Sequence, residues 1–133
     1  MERSPSLEKE LDRLYEAFSH GDGDVVDELV TSRPGLVFVG TDPDEWFESI
    51  ADVRALLQAQ SGAGITVERG RPLAYEEGTV GWVADRGRFV LPDGGSVPFR
   101  VTAVFHRENG AWKLVQQHAS IATANDDALG AEL

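Results

Sequence analysis

The sequence predicts an α+β fold in the element order α-α-β-α-β-β-β-β, with the helices gathered early and an antiparallel meander late. Three observations carry this. Apolar residues in the first half recur at helical spacing. From Ile65 onward the pattern shifts to period two, in segments bounded by Gly, Pro, Asn and Asp. At 133 residues the chain is one domain by size, with residues 123–133 a small, polar and loosely ordered tail.

The elements follow in order. Leu7, Leu11, Leu14, Tyr15 and Phe18 form one apolar helical stripe, with Ser4 as its cap, Pro5 at its first position and His20-Gly21 as its stop. A short second helix sets Val25, Val26, Leu29 and Val30 on one side, with Asp24 as cap and Arg33-Pro34-Gly35 as breaker. Leu36 to Val39 reads as a short strand. Asp42, Pro43 and Glu45 have the spacing of a helix start, and Trp46, Phe47, Ile50, Val53, Leu56 and Leu57 continue at helical spacing to Ser61-Gly62. Asp42 is therefore expected to cap the third helix. Ile65 to Tyr75 is a strand interrupted by Gly70 and Pro72, and Thr79 to Leu91 is the next strand. Val97 to Arg107 and Trp112 to Ala122 form the closing hairpin.

A three-residue loop, Glu108-Asn109-Gly110, segregates the two faces of that hairpin. Phe99, Val101, Ala103 and Phe105 then share a face with Val115, Ala119 and Ile121, where Gln117 is the polar member. Arg100, Thr102 and Val104 share the other with Leu114, Gln116, His118 and Ser120, and Trp112 lies at its end. The apolar face should meet the helices. The face with Arg100, Thr102, Trp112, Gln116, His118 and Ser120 should pack back to back in a homodimer, because Trp and Arg favour interfaces.

Twelve basic against 23 acidic residues give a net charge of −11, which makes nucleic acid and anionic membrane surfaces poor partners. Residues 1–60 hold 5 basic and 14 acidic side chains, so the charge sits mostly on the helical half. The absence of cysteine excludes a disulfide framework and a thiolate metal site. His20, His106 and His118 share no ligand spacing, and neither a phosphate loop nor a dinucleotide fingerprint occurs, so no metal and no cofactor are expected. No apolar run spans a bilayer and no signal peptide leads the chain; a cytoplasmic location is expected.

This element order, with Asp-Pro-x-Glu-Trp opening the third helix, resembles the nuclear transport factor 2-like superfamily in its SnoaL-like and ketosteroid-isomerase-like branch. The stretch VFHRENGAWKLVQQHAS (residues 104–120) also resembles the association domain of calcium/calmodulin-dependent protein kinase II. The resemblance implies a cone-shaped, cystatin-like α+β fold, a pocket between helices and concave sheet, and dimers or larger rings. It does not imply one activity. In an isomerase of this fold the base would fall at Asp42, and the oxyanion tyrosine's register holds Leu14, with Tyr15 next to it. The second donor would fall near Val101 or Ala103, which cannot donate, and the arginines of the kinase association domain are replaced by Ala103 and Ala119.

The expected pocket residues are Tyr15, Phe18, Trp46, Trp82, Val101 and Ala103, with Val115, Gln117 and Ala119 from the last strand; the face taken by Trp82 is left open. Asp42 and Asp85 are the candidate catalytic carboxylates, since an acid in an apolar cone could shuttle protons. His118 and Ser120 lie two apart on one strand face, but no Asp orients the imidazole and no nucleophile elbow holds the serine. Three functions remain: binding a small apolar or aromatic molecule, self-association with a vestigial pocket, and isomerase or lyase chemistry at a pocket carboxylate.

Overall fold

A computed structural model describes residues 1–132. Helix α1 (Pro5–His20) begins where Ser4 Oγ accepts from the Leu7 amide, and it ends at Gly21 in the left-handed conformation, φ 69°. Its stripe of Leu7, Leu11, Leu14, Tyr15 and Phe18 is buried. Helix α2 (Gly23–Leu29) is capped by Asp22, not by Asp24: the Asp22 carboxylate accepts from the amides of Asp24 and Val25. A cap must precede the first helical residue, and the helix starts two residues earlier than the apolar pattern suggests.

The third helix also starts elsewhere. Asp42 to Glu45 form a turn in which the Asp42 amide donates to Glu45 Oε1 at 2.9 Å and the Asp44 amide donates to Asp42 Oδ1 at 3.1 Å. Trp46–Phe47 then form a short strand antiparallel to Val37–Val39. Helix α3 (Ile50–Gly62) is capped by Ser49, whose hydroxyl accepts from the Asp52 amide. Asp-Pro-x-Glu satisfies amides equally well in a tight turn, and pairing with a neighbouring strand decides between the two uses.

The strands are β1 (Glu2–Arg3), β2 (Val37–Val39), β3 (Trp46–Phe47), β4 (Thr66–Glu68), β5 (Leu73–Glu77), β6 (Val80–Val90), β7 (Ser96–Glu108) and β8 (Ala111–Ile121). They form one curved sheet in the order β1-β5-β6-β7-β8-β2-β3, with β4 also on β6. All pairs are antiparallel except β2 with β8, where Phe38 lies opposite Gln117. A five-residue helix, α4 (Asn125–Leu129), follows where the sequence predicts a loose tail, and it buries nothing. No described helix is long and apolar enough to cross a membrane.

The β7–β8 turn has two residues, not three. Asn109 and Gly110 both have positive φ, 53° and 82°, and Glu108 lies opposite Ala111. This is the geometry that Asn-Gly favours in a tight hairpin. Val115 is then left over as a bulge: Phe105 faces Leu114, but Val104 faces Gln116. The bulge changes the face of everything on its turn side. Leu114 is buried, not on the outer face, and Trp112 is buried rather than part of an interface. The Trp112 indole donates to Ser6 Oγ at 3.2 Å, and the Arg107 guanidinium lies 4.0 Å over its ring. Beyond the bulge, Phe99, Val101 and Ala103 face inward with Gln117 and Ala119, as the hairpin pattern predicts.

Two inward positions of β6 are glycine because their neighbours leave no room for a side chain. A Cβ on Gly81 would lie 2.2 Å from Leu7 Cδ1, and one on Gly87 would lie 2.5 Å from the Phe99 ring. The core between the layers includes Leu7, Leu11, Phe38, Leu57, Phe105 and Leu114, each almost wholly buried.

Candidate functional site

The concave face of the sheet and the inner faces of α1 and α3 enclose a cavity of about 50 Å³. Its walls are mainly apolar, with Leu14 and Phe18 from α1, Phe38 from β2, Leu56 from α3, and Phe99 and Val101 from β7. That space holds about four waters. Beside it lies a second hollow of about 190 Å³ lined by Ile65, Leu91, Val97 and Ile121. Thr41, Gln60 and Phe89 line both spaces.

Few polar groups reach the cavity: Tyr15, Thr41, Glu45, Gln60 and Gln117. Among its described lining residues there is no Lys, Arg or His. Among the described residues no three His, Asp or Glu side chains are grouped to hold a metal ion.

Tyr15 lines the cavity, and behind it lies Asp85. The phenol donates to Asp85 Oδ2 at 2.8 Å, and the Gly70 amide donates to the same oxygen at 3.1 Å. Asp85 is 5% exposed, and its Oδ1 is buried without a hydrogen-bond partner. Strand alternation explains the inward direction: Gly81, Val83, Asp85 and Gly87 alternate with outward Trp82, Ala84, Arg86 and Arg88. Gly70 must be glycine here, since a Cβ would fall 1.9 Å from the Arg86 carbonyl oxygen and 2.8 Å from Asp85 Oδ1. At the edge of this cluster Arg69 Nη1 pairs with Asp12 Oδ2 at 2.8 Å.

Burial pushes the Tyr15 phenol well above the ordinary tyrosine value, and the nearby Asp85 charge and its hydrogen bond push the same way. Below pH of about 10 both the folded and the unfolded chain hold this proton. Above it the unfolded chain releases the proton and the folded chain keeps it, so stability falls as pH rises. Wild type should lose about 1.4 kcal/mol per pH unit above pH of about 10 relative to a Tyr15→Phe variant. Urea unfolding of both proteins between about pH 9 and 11 checks this, and parallel pH profiles would refute it.

Of the expected pocket residues, Tyr15, Phe18, Val101, Gln117 and Ala119 meet at the cavity. Four do not. Trp46 is 63% exposed on β3, because the chain is extended there and not helical. Trp82 takes the outer face and stacks on Tyr75 across β5, ring centroids 6.4 Å apart. Ala103 is buried in the core away from the cavity, and Val115 is the bulge residue. Asp42 is exposed on its turn and does not line the cavity, so of the two carboxylates only Asp85 lies inside the cone. Asp85 reaches the cavity only through Tyr15. The sequence reading missed Glu45 and Gln60 as cavity residues. A signal for Gln60 existed, since Val53, Leu57 and Gln60 fall at i, i+4 and i+7 on α3.

Helices cupped over a curved sheet around an apolar cavity define the nuclear transport factor 2-like class of α+β proteins. A nuclear transport factor 2-like protein of unknown function from Pseudomonas putida KT2440 superposes with a TM-score of 0.76 at 15% identity, covering 92% of this chain and 87% of its own. A proposed dehydratase of the same family from Streptomyces avermitilis gives 0.75 at 18% identity, covering 89% and 95%. A proposed calcium/calmodulin-dependent protein kinase II association domain from Xanthomonas campestris gives 0.74 at 17% identity, covering 92% and 95%. Within that class the chain belongs to the SnoaL-like domain family, whose model matches residues 7–124. No curated protein matches the chain.

Proposed function

We propose that this chain binds a small apolar or aromatic molecule in its cone. The observation behind this reading is the cavity itself: an apolar wall with a few polar groups, beside a second, mainly apolar hollow. Phe89 lines both spaces and offers a ring against which an aromatic ligand can pack.

A second reading, homodimer formation, rests on the outer sheet face. Arg100, Thr102, Gln116 and His118 are exposed there, with Ser120 partly so, while the opposite face is covered by the helices. Arg86 and Arg100 lie directly across from each other on this face. A second copy would meet this patch with the same patch about a two-fold axis.

Native mass spectrometry of the purified protein tests both readings. A complex heavier than the polypeptide mass by one small molecule supports the cavity reading. A species of twice the 14.5 kDa chain mass supports the dimer. A bare monomer that takes up no aromatic probe at saturation refutes both.

A further inference from the structure

The outer face of the sheet carries charge that the chain itself leaves unpaired. Arg86 and Arg100 lie directly opposite each other on β6 and β7, and both are exposed. Neither makes an ion pair among the described residues. Like charges set directly across a sheet repel each other, so this pair calls for an anionic partner.

One row of side chains crosses the same face through six strands. Cross-strand pairing sets Leu73 beside Ala84, then Thr102, His118, Val39 and Trp46 in turn. The row is apolar at both ends and polar in the middle. Its end residues are open, Trp46 63% exposed and Leu73 52%. Arg86 and Arg100 stand in the adjoining row, on the half nearer Leu73. Exposed acids flank the other end, Asp42 and Asp44 before Trp46 and Glu48 after it. None of the three is in an ion pair among the described residues. β3 runs antiparallel to β2, so Asp44 lies on the Arg86 side of Trp46 and Glu48 on the far side.

Resting on the dimer reading above, we propose that a second copy seats this row on its own row reversed, about a two-fold axis along the strands, so that Arg86 of each copy pairs with Asp44 of the other. Trp46 then covers Leu73 and Ala84 of the other copy, and the symmetry buries both open ends twice. Thr102 and His118, the polar middle, lie beside the axis. A two-fold axis across the strands would set Asp44 of one copy against Glu48 of the other and leave Arg86 without an anion, and like charges brought together at an interface oppose association.

The test uses Arg86→Glu and Asp44→Lys. Both side chains are exposed, and Asp44 holds its turn through its backbone amide, so each variant should keep the wild-type circular dichroism. Sedimentation of wild type at micromolar concentration is expected to show a dimer. Each variant alone brings like charges together at two symmetric contacts and should need a concentration about tenfold or more higher to dimerise. An equimolar mixture of the two variants should dimerise as wild type does, because both contacts then join opposite charges. Rescue of one chain by the other separates this contact from any effect on either fold. Variants that dimerise as tightly as wild type, or a mixture no tighter than the variants alone, would overturn the pairing while leaving the dimer reading in place. A wild type that stays monomeric would overturn the dimer reading, and the pairing with it.

Discussion

Replacing Phe38 by alanine should cost about 3–5 kcal/mol, the range for truncating a fully buried aromatic ring. Phe38 is 1% exposed and stacks on Phe18, ring centroids 6.0 Å apart at 5°. It is also the middle residue of β2, a three-residue strand held by its pairing with β8 and by this one inward side chain. The lost ring leaves a void that opens onto the cavity, since Phe38 forms part of its wall. Two measurements follow. Denaturant midpoints give the loss. Saturating benzene should then restore part of it in Phe38→Ala and much less in wild type, because a ligand that binds only the folded state stabilises it by mass action. A loss below about 1.5 kcal/mol, smaller than truncation of a buried aromatic allows, would mean that the wall collapses onto the void and that the cavity is not held by its frame.

An Asp85→Ala variant should be destabilised by about 2–4 kcal/mol, because two buried donors lose their acceptor together, at roughly 1–3 kcal/mol each. The donors are the Tyr15 phenol and the Gly70 amide. Asp85→Asn should cost less, since the remaining carbonyl oxygen still accepts. The decisive comparison is a double-mutant cycle. Tyr15→Phe removes one of the two orphaned donors, so the double variant should be less destabilised than the sum of the single losses. Strict additivity would show that the 2.8 Å contact contributes no coupling and that Asp85 is held for some other reason.

Much of this could be read from residue order. The α1 stripe, its Ser4 cap and Gly21 stop, the two long late strands and the α+β class follow from period and from local capping chemistry. The same periodicity brings Tyr15, Phe18, Val101, Gln117 and Ala119 to one cavity, because a helix stripe and a strand face each determine their own direction. Inward direction was legible for Gln60 too, on the stripe of Val53 and Leu57.

Tertiary structure alone decided the rest, and the reasons differ by place. At Asp42 to Phe47 the local pattern fits a helix start or a turn equally, and the β2–β3 pairing makes it a turn, which moves Trp46 out of the site. At Val115 a bulge shifts the register by one residue, and with a side-chain period of two that sends Trp112 and Leu114 inward. The parallel pairing of β2 with β8 uses backbone groups that every residue carries, so side-chain patterns are silent about it. Asp85 meets Tyr15 across 70 positions of sequence. Spacing along the chain sets which way a side chain points; the chain's long-range pairing sets what it points at.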